Sequence, residues 1–385
     1  MASSETQLDF SSDKNQILLN PRWPETDSKA LRELAESVTT ERNLHSHLWV
    51  ATSGSTATSV QSTKLVALSK EAVLSSARSV NAHLQITNKD RWTQVLPSFH
   101  VGGIGIEARA FLSGAQVIKA FKDGKWDVDY FYQQLTDHQC TLSALVPTQV
   151  YDLIQKNYKS PTLLRAVVVG GGSLDTDLYQ RARALGWPLL PSYGMTETCS
   201  QIATATLDSL KNFEFPDVTL LSHAEARTNS DGFLEVSTTS LFTCYAQNAQ
   251  DLKSWDPKKD SWFTTEDKGE VQNRSLIISG RSKDYVKIGG EGTNVARLRT
   301  VLEQTARELN AEWPMKITLL DVPSERLGAE VQMVSTLDST SSELLAQKYG
   351  ERVLPFEKIR KINYLKDIPR SDLGKILWGE VRRHL

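Results

Sequence analysis

Between Gln94 and Leu190 short apolar runs alternate with amphipathic segments, and this rhythm restricts the possible folds more than any other feature. The runs Gln94 to Leu96, Gln116 to Ala120, Leu142 to Val146, Ala166 to Val169 and Leu189-Leu190 read as buried strands. The intervening stretches Asp127 to His138, Gln149 to Lys156 and Thr176 to Leu185 carry helical periodicity. Strands and helices in this order predict a largely parallel sheet covered by helices, with ligands at the carboxyl ends of the strands. Upstream, Ser28 to Val38 and Lys70 to Leu84 read as helices and Leu48 to Ala51 as a buried strand. After about Ser200, short segments such as Phe233 to Val236 and Leu276 to Ile278 predict a β-rich, more antiparallel part. From Arg281 a smaller α+β unit is expected: a hairpin, a helix near Val295 to Leu309, strands near 316 to 320 and 329 to 335, and a last helix. The expected division is therefore a large unit, residues 1–282, and a small one, residues 283–385.

The 385 residues carry a formal net charge of -2, so no basic field points to nucleic acid. The 3 cysteines are too few and too scattered for a disulfide framework or a zinc site, and a reducing cytoplasm is the expected compartment. The polar N-terminus carries no signal-peptide pattern, and no run approaches the roughly 20 apolar residues of a membrane span. Oligomeric state is not legible.

Five short motifs carry chemistry. The stretch Thr52-Ser53-Gly54-Ser55-Thr56, with Lys64 some residues on, offers hydroxyls and backbone N–H groups to phosphate oxygens, or is a Ser/Thr loop. It is not a Walker loop. In Tyr193-Gly194-Met195-Thr196-Glu197 the ring can stack on a base, and Thr and Glu can meet phosphate and Mg²⁺; a capped turn is the alternative. Asp267, in Trp262 to Gly269, and Arg281 can converge on ribose hydroxyls or form a surface pair. Gly280 to Glu291 reads as a polar hinge before a short strand and a Gly289-Gly290 turn, or simply as a β-hairpin. In Ile368 to Ile376, Lys375 on a glycine-pinned loop is a movable cation, or an exposed terminal lysine.

In order and spacing these motifs resemble those of the adenylate-forming superfamily of acyl-CoA synthetases, peptide-synthetase adenylation domains and firefly luciferase. The resemblance covers roughly residues 45 to 385. It implies the adenylate-forming α/β fold, with a large N-terminal domain and a small mobile C-terminal one. It also implies ATP, Mg²⁺ and coenzyme A as ligands of an acid–thiol ligase. By that resemblance Thr52, Ser53, Gly54, Ser55, Thr56 and Lys64 would hold the ATP phosphates. Tyr193 and Gly194 would lie on adenine opposite Gly171 and Gly172, Thr196 would meet the α-phosphate, and Glu197 would hold the metal. Asp267 and Arg281 would bind ribose, Lys283 would be the hinge, and Lys287, Gly289 and Gly290 would face the thiol of CoA. Lys375 would bridge the acyl carboxylate and the α-phosphate. The chain departs from the family at Ala57, in the extra residues Thr58 to Thr63, and at Glu266; a shortened N-terminal subdomain is also expected.

The stretch Leu96-Pro97-Ser98-Phe99-His100-Val101-Gly102-Gly103 matches the family's acyl-pocket motif. That places His100 at the pocket mouth, with Gly102 and Gly170 lining it. Together with Val146-Pro147-Thr148-Gln149 and Gly170-Gly171-Gly172, it most resembles the o-succinylbenzoate–CoA ligases of menaquinone synthesis. A second substrate carboxylate would want a cation, for which Arg109 is the candidate, a core-edge arginine being the alternative; Lys211 and His223 are further positions. Other aromatic or aliphatic acids, transfer to a carrier protein, and a nucleotide-binding relative without turnover remain open. So does a dinucleotide enzyme, because Gly103-Ile104-Gly105-Ile106-Glu107-Ala108 matches G-x-G-x-x-[GA] with Asp123 about 20 residues on.

Overall fold

The computed structural model describes residues 8–51, 63–122, 124–172, 174–248, 254–281, 284–288, 291–324, 327–372 and 374–385. Five strands, Leu189–Met195, Ala166–Val169, Leu142–Leu145, Arg91–Gln94 and Gln116–Lys119, lie side by side and parallel. Their side chains alternate between two cores. Val167 and Val169 face one cluster with Phe131, Leu135, Leu153 and Leu178 from the helices Val128–Asp137, Pro147–Gln155 and Thr176–Ala184. Ala166 and Val168 face the other, with Val80 and Ile106 from the helices Lys70–His83 and Val101–Ser113. Burial on both faces is why these strands read as continuous apolar runs.

On its other edge Leu189–Met195 pairs antiparallel with Ser200–Thr204, and the sheet continues as Val218–Leu220, Ser275–Arg281, Phe263–Gln272, Phe233–Thr238 and Ala224–Thr228. A second sheet joins Gln16–Leu18, His47–Ala51, Leu65–Ser69, Cys244–Ala246 and Ser254–Trp255. Residues 286–381 build cores from their own side chains. The hairpin Tyr285–Ile288/Glu291–Asn294, the strands Ile317–Ser324, Gly328–Ser335 and Lys361–Tyr364, and the helices Val295–Leu309, Ser339–Gly350 and Trp378–Arg383 surround them.

Three expectations change. The strand expected at Gln94 to Leu96 lies at Arg91–Gln94, because Pro97 pulls the chain out of the sheet before it. The first helix is longer than expected, Glu25–Glu41. The Gly103 to Ala108 run lies inside the helix Val101–Ser113 and not at a strand-to-helix turn, so it lacks the geometry of a dinucleotide fingerprint. Among the described residues no helix is long and apolar enough to cross a membrane.

Candidate active site

The site forms where the large sheet changes from parallel to antiparallel, at the end of Leu189–Met195. A bulge between Tyr193 and Gly194 lets the strand turn outward. At Gly194 a β-carbon would lie 2.1 Å from the Ser200 carbonyl oxygen, so only glycine permits the two strands to approach there. A 3₁₀ turn, Thr196–Thr198, follows, and Cys199 at φ 54° in the left-handed region reverses the chain into Ser200–Thr204.

Beside this turn is a cavity of about 140 Å³. Leu96, Val101, Ala144, Val146 and Val168 give it apolar walls, and His100, Arg109, Gly170, Gly171, Thr196 and Lys375 reach it from four separate chain segments. His100 precedes the helix Val101–Ser113 at its N-cap. Burial pushes its imidazole down to about 4, the charge of Lys375 adds to this and that of Asp372 opposes it. The ring is therefore neutral at physiological pH and can donate or accept one hydrogen bond.

Arg109 is 2% exposed, a cation inside the apolar wall. Its Nη2 donates to Gln201 Oε1 at 2.9 Å and to Ser200 Oγ at 3.3 Å, both neutral. Its guanidinium carbon lies 5.6 Å from the Trp92 ring centroid, and its Nε–H finds no acceptor among the described residues. Burial pushes its pKa down to about 10, which leaves it charged at neutral pH. No carboxylate among the described residues pairs with it. A buried cation of this kind costs several kcal/mol unless an anion joins it.

Lys375 enters from the C-terminal unit. Its Cε lies 4.0 Å from where a β-carbon on Gly171 would sit, so the lysine stem runs along the glycine. Its loop is closed by Ser371 N–H donating to the Lys375 carbonyl at 2.7 Å, Lys375 N–H to Ser371 Oγ at 3.2 Å, and Arg370 Nη1 to the Gly374 carbonyl at 3.0 Å.

Two polar clusters involve the neighbours of Gly194 and Thr196 in the chain. Tyr193 donates its hydroxyl to Asp267 Oδ2 at 2.7 Å, and the backbone of Asp267 stands in register with that of Arg281 on the adjacent strand. Tyr245 donates to Glu197 Oε1 at 2.8 Å, and Lys64 Nζ stands 3.8 Å above the Tyr245 ring. Burial and the Glu197 carboxylate push the Tyr245 phenol far above its ordinary range, so it stays a donor. Among the described residues no three of His, Cys, Asp or Glu cluster as a metal cage. A single carboxylate such as Glu197 suits Mg²⁺, which keeps waters and substrate phosphates as its other ligands.

The structure thus brings His100, Gly102, Arg109, Gly170, Gly171, Gly194, Thr196 and Lys375 to one cavity. Tyr193, bonded to Asp267, and Glu197, bonded to Tyr245, adjoin the cavity residues Gly194 and Thr196 along the chain. Gly172 stands against Pro147, and Lys287 faces Gly292 across the hairpin. Thr52, Ser53, Gly54, Ser55, Thr56, Lys283, Gly289 and Gly290 lie outside the described residues. His223 is held at Ser240 and Lys211 pairs with Asp208, and neither lines this cavity. Sequence reasoning passed over Ser200, Gln201 and Tyr245. The first two stand three and four residues past the Tyr193 to Glu197 motif, whereas Tyr245 carries no local signal.

The sequence profile described as AMP-binding enzyme matches residues 8–226. A 2-succinylbenzoate–CoA ligase of Oceanobacillus iheyensis is 25% identical over 313 residues, which is 78% of this chain and 63% of the relative. The Escherichia coli enzyme of the same name is 30% identical over 60% of this chain and 48% of its own. The chain therefore spans less than two thirds of these relatives. An o-succinylbenzoate CoA synthetase of Bacillus subtilis, in complex with the acyl-adenylate intermediate, superposes with a TM-score of 0.75 over 96% of this chain and 88% of that one. At 21% identity the likeness is one of fold, and the fold is the adenylate-forming one.

Proposed function

Because the chain belongs to the AMP-binding enzyme family, we propose that it activates a carboxylic acid with ATP as an acyl-adenylate and passes the acyl group to the thiol of coenzyme A. The observation that carries this reading is the convergence of Lys375, neutral His100 and Thr196 on one cavity with an arginine buried in its wall. Activation requires two anions, a carboxylate and an α-phosphate, to meet. Lys375 offsets their repulsion and stabilises the charge of an in-line displacement, while Thr196 holds the phosphate side. Glu197 would hold Mg²⁺, which would supply further neutralisation of phosphate oxygens. Tyr193 takes the base, and Asp267, oriented by the Tyr193 hydroxyl, takes the ribose with Arg281.

The acid is o-succinylbenzoate. The cavity is close to the roughly 150 Å³ that accepts one benzene ring. Apolar walls suit the ring, and Arg109 supplies the partner for a second carboxylate. The curated relatives carry the same specificity in their names. The small unit, residues 283–385, turns as a body about Lys283 between the half-reactions, withdrawing Lys375 and bringing Lys287 to Gly290 to the thiol. Its self-contained core supports that movement. The cytoplasm is the compartment this chemistry implies, and three buried cysteines outside any disulfide fit it.

Turnover of o-succinylbenzoate with ATP and free CoA, read as thioester and AMP, tests the reading. Absence of acid-dependent ATP–pyrophosphate exchange across a broad acid panel would refute it, and exchange without CoA turnover would transfer the acceptor role to a carrier protein.

A further inference from the structure

The loop that carries Lys375 touches the opposite end of the chain. Asp372 accepts hydrogen bonds on both carboxylate oxygens, from Arg22 Nη1 at 2.7 Å and from Asn20 Nδ2 at 2.9 Å. These donors belong to the turn between the strand Gln16–Leu18 and the helix Glu25–Glu41. From this contact we infer that Asn20 and Arg22 are positioning residues for the acid-activation half-reaction, acting through Asp372 to seat Lys375 in the cavity.

The donor side is preorganised. Asn20 Oδ1 accepts from the Arg22 backbone N–H at 3.0 Å, and the Asn20 carbonyl accepts from Trp23 N–H at 3.1 Å. The second guanidinium branch, Arg22 Nη2, donates to the Gly124 carbonyl at 3.1 Å, which ties the arginine to the edge of the large unit. Both donors are thus held before Asp372 arrives, so little further ordering is needed. The acceptor side is equally fixed, because the Ser371–Lys375 hydrogen bonds make Asp372 and Lys375 parts of one closed turn. A displacement of Asp372 is therefore a displacement of Lys375.

The pair is 41% and 27% exposed, in the range where one ion pair shifts an equilibrium by about two- to fivefold and where salt screens it. That size suits a contact that must form for one half-reaction and release for the other. A stronger one would trap the closed arrangement.

The inference rests on the acyl-adenylate reading, and the experiment separates the two. In the full-length protein, Arg22→Ala, Asn20→Ala and Asp372→Asn are assayed for ATP–pyrophosphate exchange with o-succinylbenzoate, and for thioester formation from supplied acyl-adenylate. The expected result is a two- to fivefold loss of exchange with the thioester step unchanged. Arg22→Ala/Asp372→Asn should be no worse than either single variant, and exchange should be less sensitive to NaCl in Arg22→Ala and Asp372→Asn than in the parent, whereas Asn20→Ala, which keeps the ion pair, should retain the parent's salt dependence. The swap Arg22→Asp/Asp372→Arg should restore part of the loss. Equal loss in both steps, additive losses, or no loss would overturn the inference. Labels on Lys29→Cys and Lys366→Cys report docking by energy transfer without turnover. If the parent shows no exchange with any acid, the functional reading fails. The latch then stands only if Arg22→Ala lengthens that distance, and it falls if the distance is unchanged.

Discussion

A β-carbon on Gly374 would sit 2.3 Å from the Thr148 hydroxyl oxygen. The Lys375 loop therefore meets the helix Pro147–Gln155 backbone-first, at a glycine that also has φ +71°. Any side chain here incurs both the left-handed strain, about 1 kcal/mol or more, and a contact that forces the loop away. Gly374→Ala should lower ATP–pyrophosphate exchange by roughly tenfold or more while leaving thermal stability within a few degrees. Adding Thr148→Ala should recover part of the rate; no recovery would show that the backbone strain alone matters.

Among the described residues Lys375 is the one charged group in the cavity wall that comes from the small unit. Removing one preorganised electrostatic partner of a developing charge costs roughly a hundred- to a thousandfold in rate. Lys375→Ala should show that loss in adenylate formation and retain thioester formation from supplied acyl-adenylate. Rapid-quench measurement of each half-reaction checks it, and parallel loss in both would contradict the hinged mechanism.

Arg109 sits in the cavity wall with neutral partners only. Arg109→Met keeps most of its volume and removes the buried charge. The variant should raise KM for o-succinylbenzoate by roughly tenfold to a thousandfold, the range for losing a charged partner in a dry site. It should spare or improve a monocarboxylic analogue, and its melting temperature should hold or rise. Equal penalties on both acids would remove Arg109 from substrate recognition.

His100 titrates at about 4 in the fold, against 6.5 in an unfolded chain. Between those values the unfolded chain binds a proton that the folded one refuses. The associated stability is whole above pH 6.5 and is lost as pH falls toward 4. His100→Gln should reduce that acid-side loss by roughly 1–2 kcal/mol, less than full linkage because the ring borders the cavity. Denaturant titrations at pH 7 and 4.5 measure it. The rate of acid activation should show no inflection near pH 6.5 that His100→Gln abolishes.

The parallel half of the sheet was legible because burial on both faces forces apolar, β-branched runs; Ala166–Val169 was placed to the residue. The helix Val101–Ser113 was not. Its glycines and isoleucines depress helix propensity, and tertiary packing against Val80 and Trp92 overrides that preference. Of the site, the motif residues His100, Thr196 and Lys375 could be read because they sit in local patterns. The Asp372 contact with Arg22 could not, since residues 350 positions apart leave no periodic trace. Nor could Tyr245, which reaches Glu197 only because Cys244–Ala246 inserts beside Leu65–Ser69.

That insertion has a consequence during synthesis. Leu65–Ser69 gains one neighbour early, from His47–Ala51, but its other edge waits for Cys244–Ala246, and Asp267 gains its strand partner only when Arg281 emerges. A ribosome-bound chain that has already made its parallel strands still presents two unfinished sheet edges, which favour mispairing and the attention of chaperones. Formation of the site should therefore wait for these late pairings rather than accumulate strand by strand.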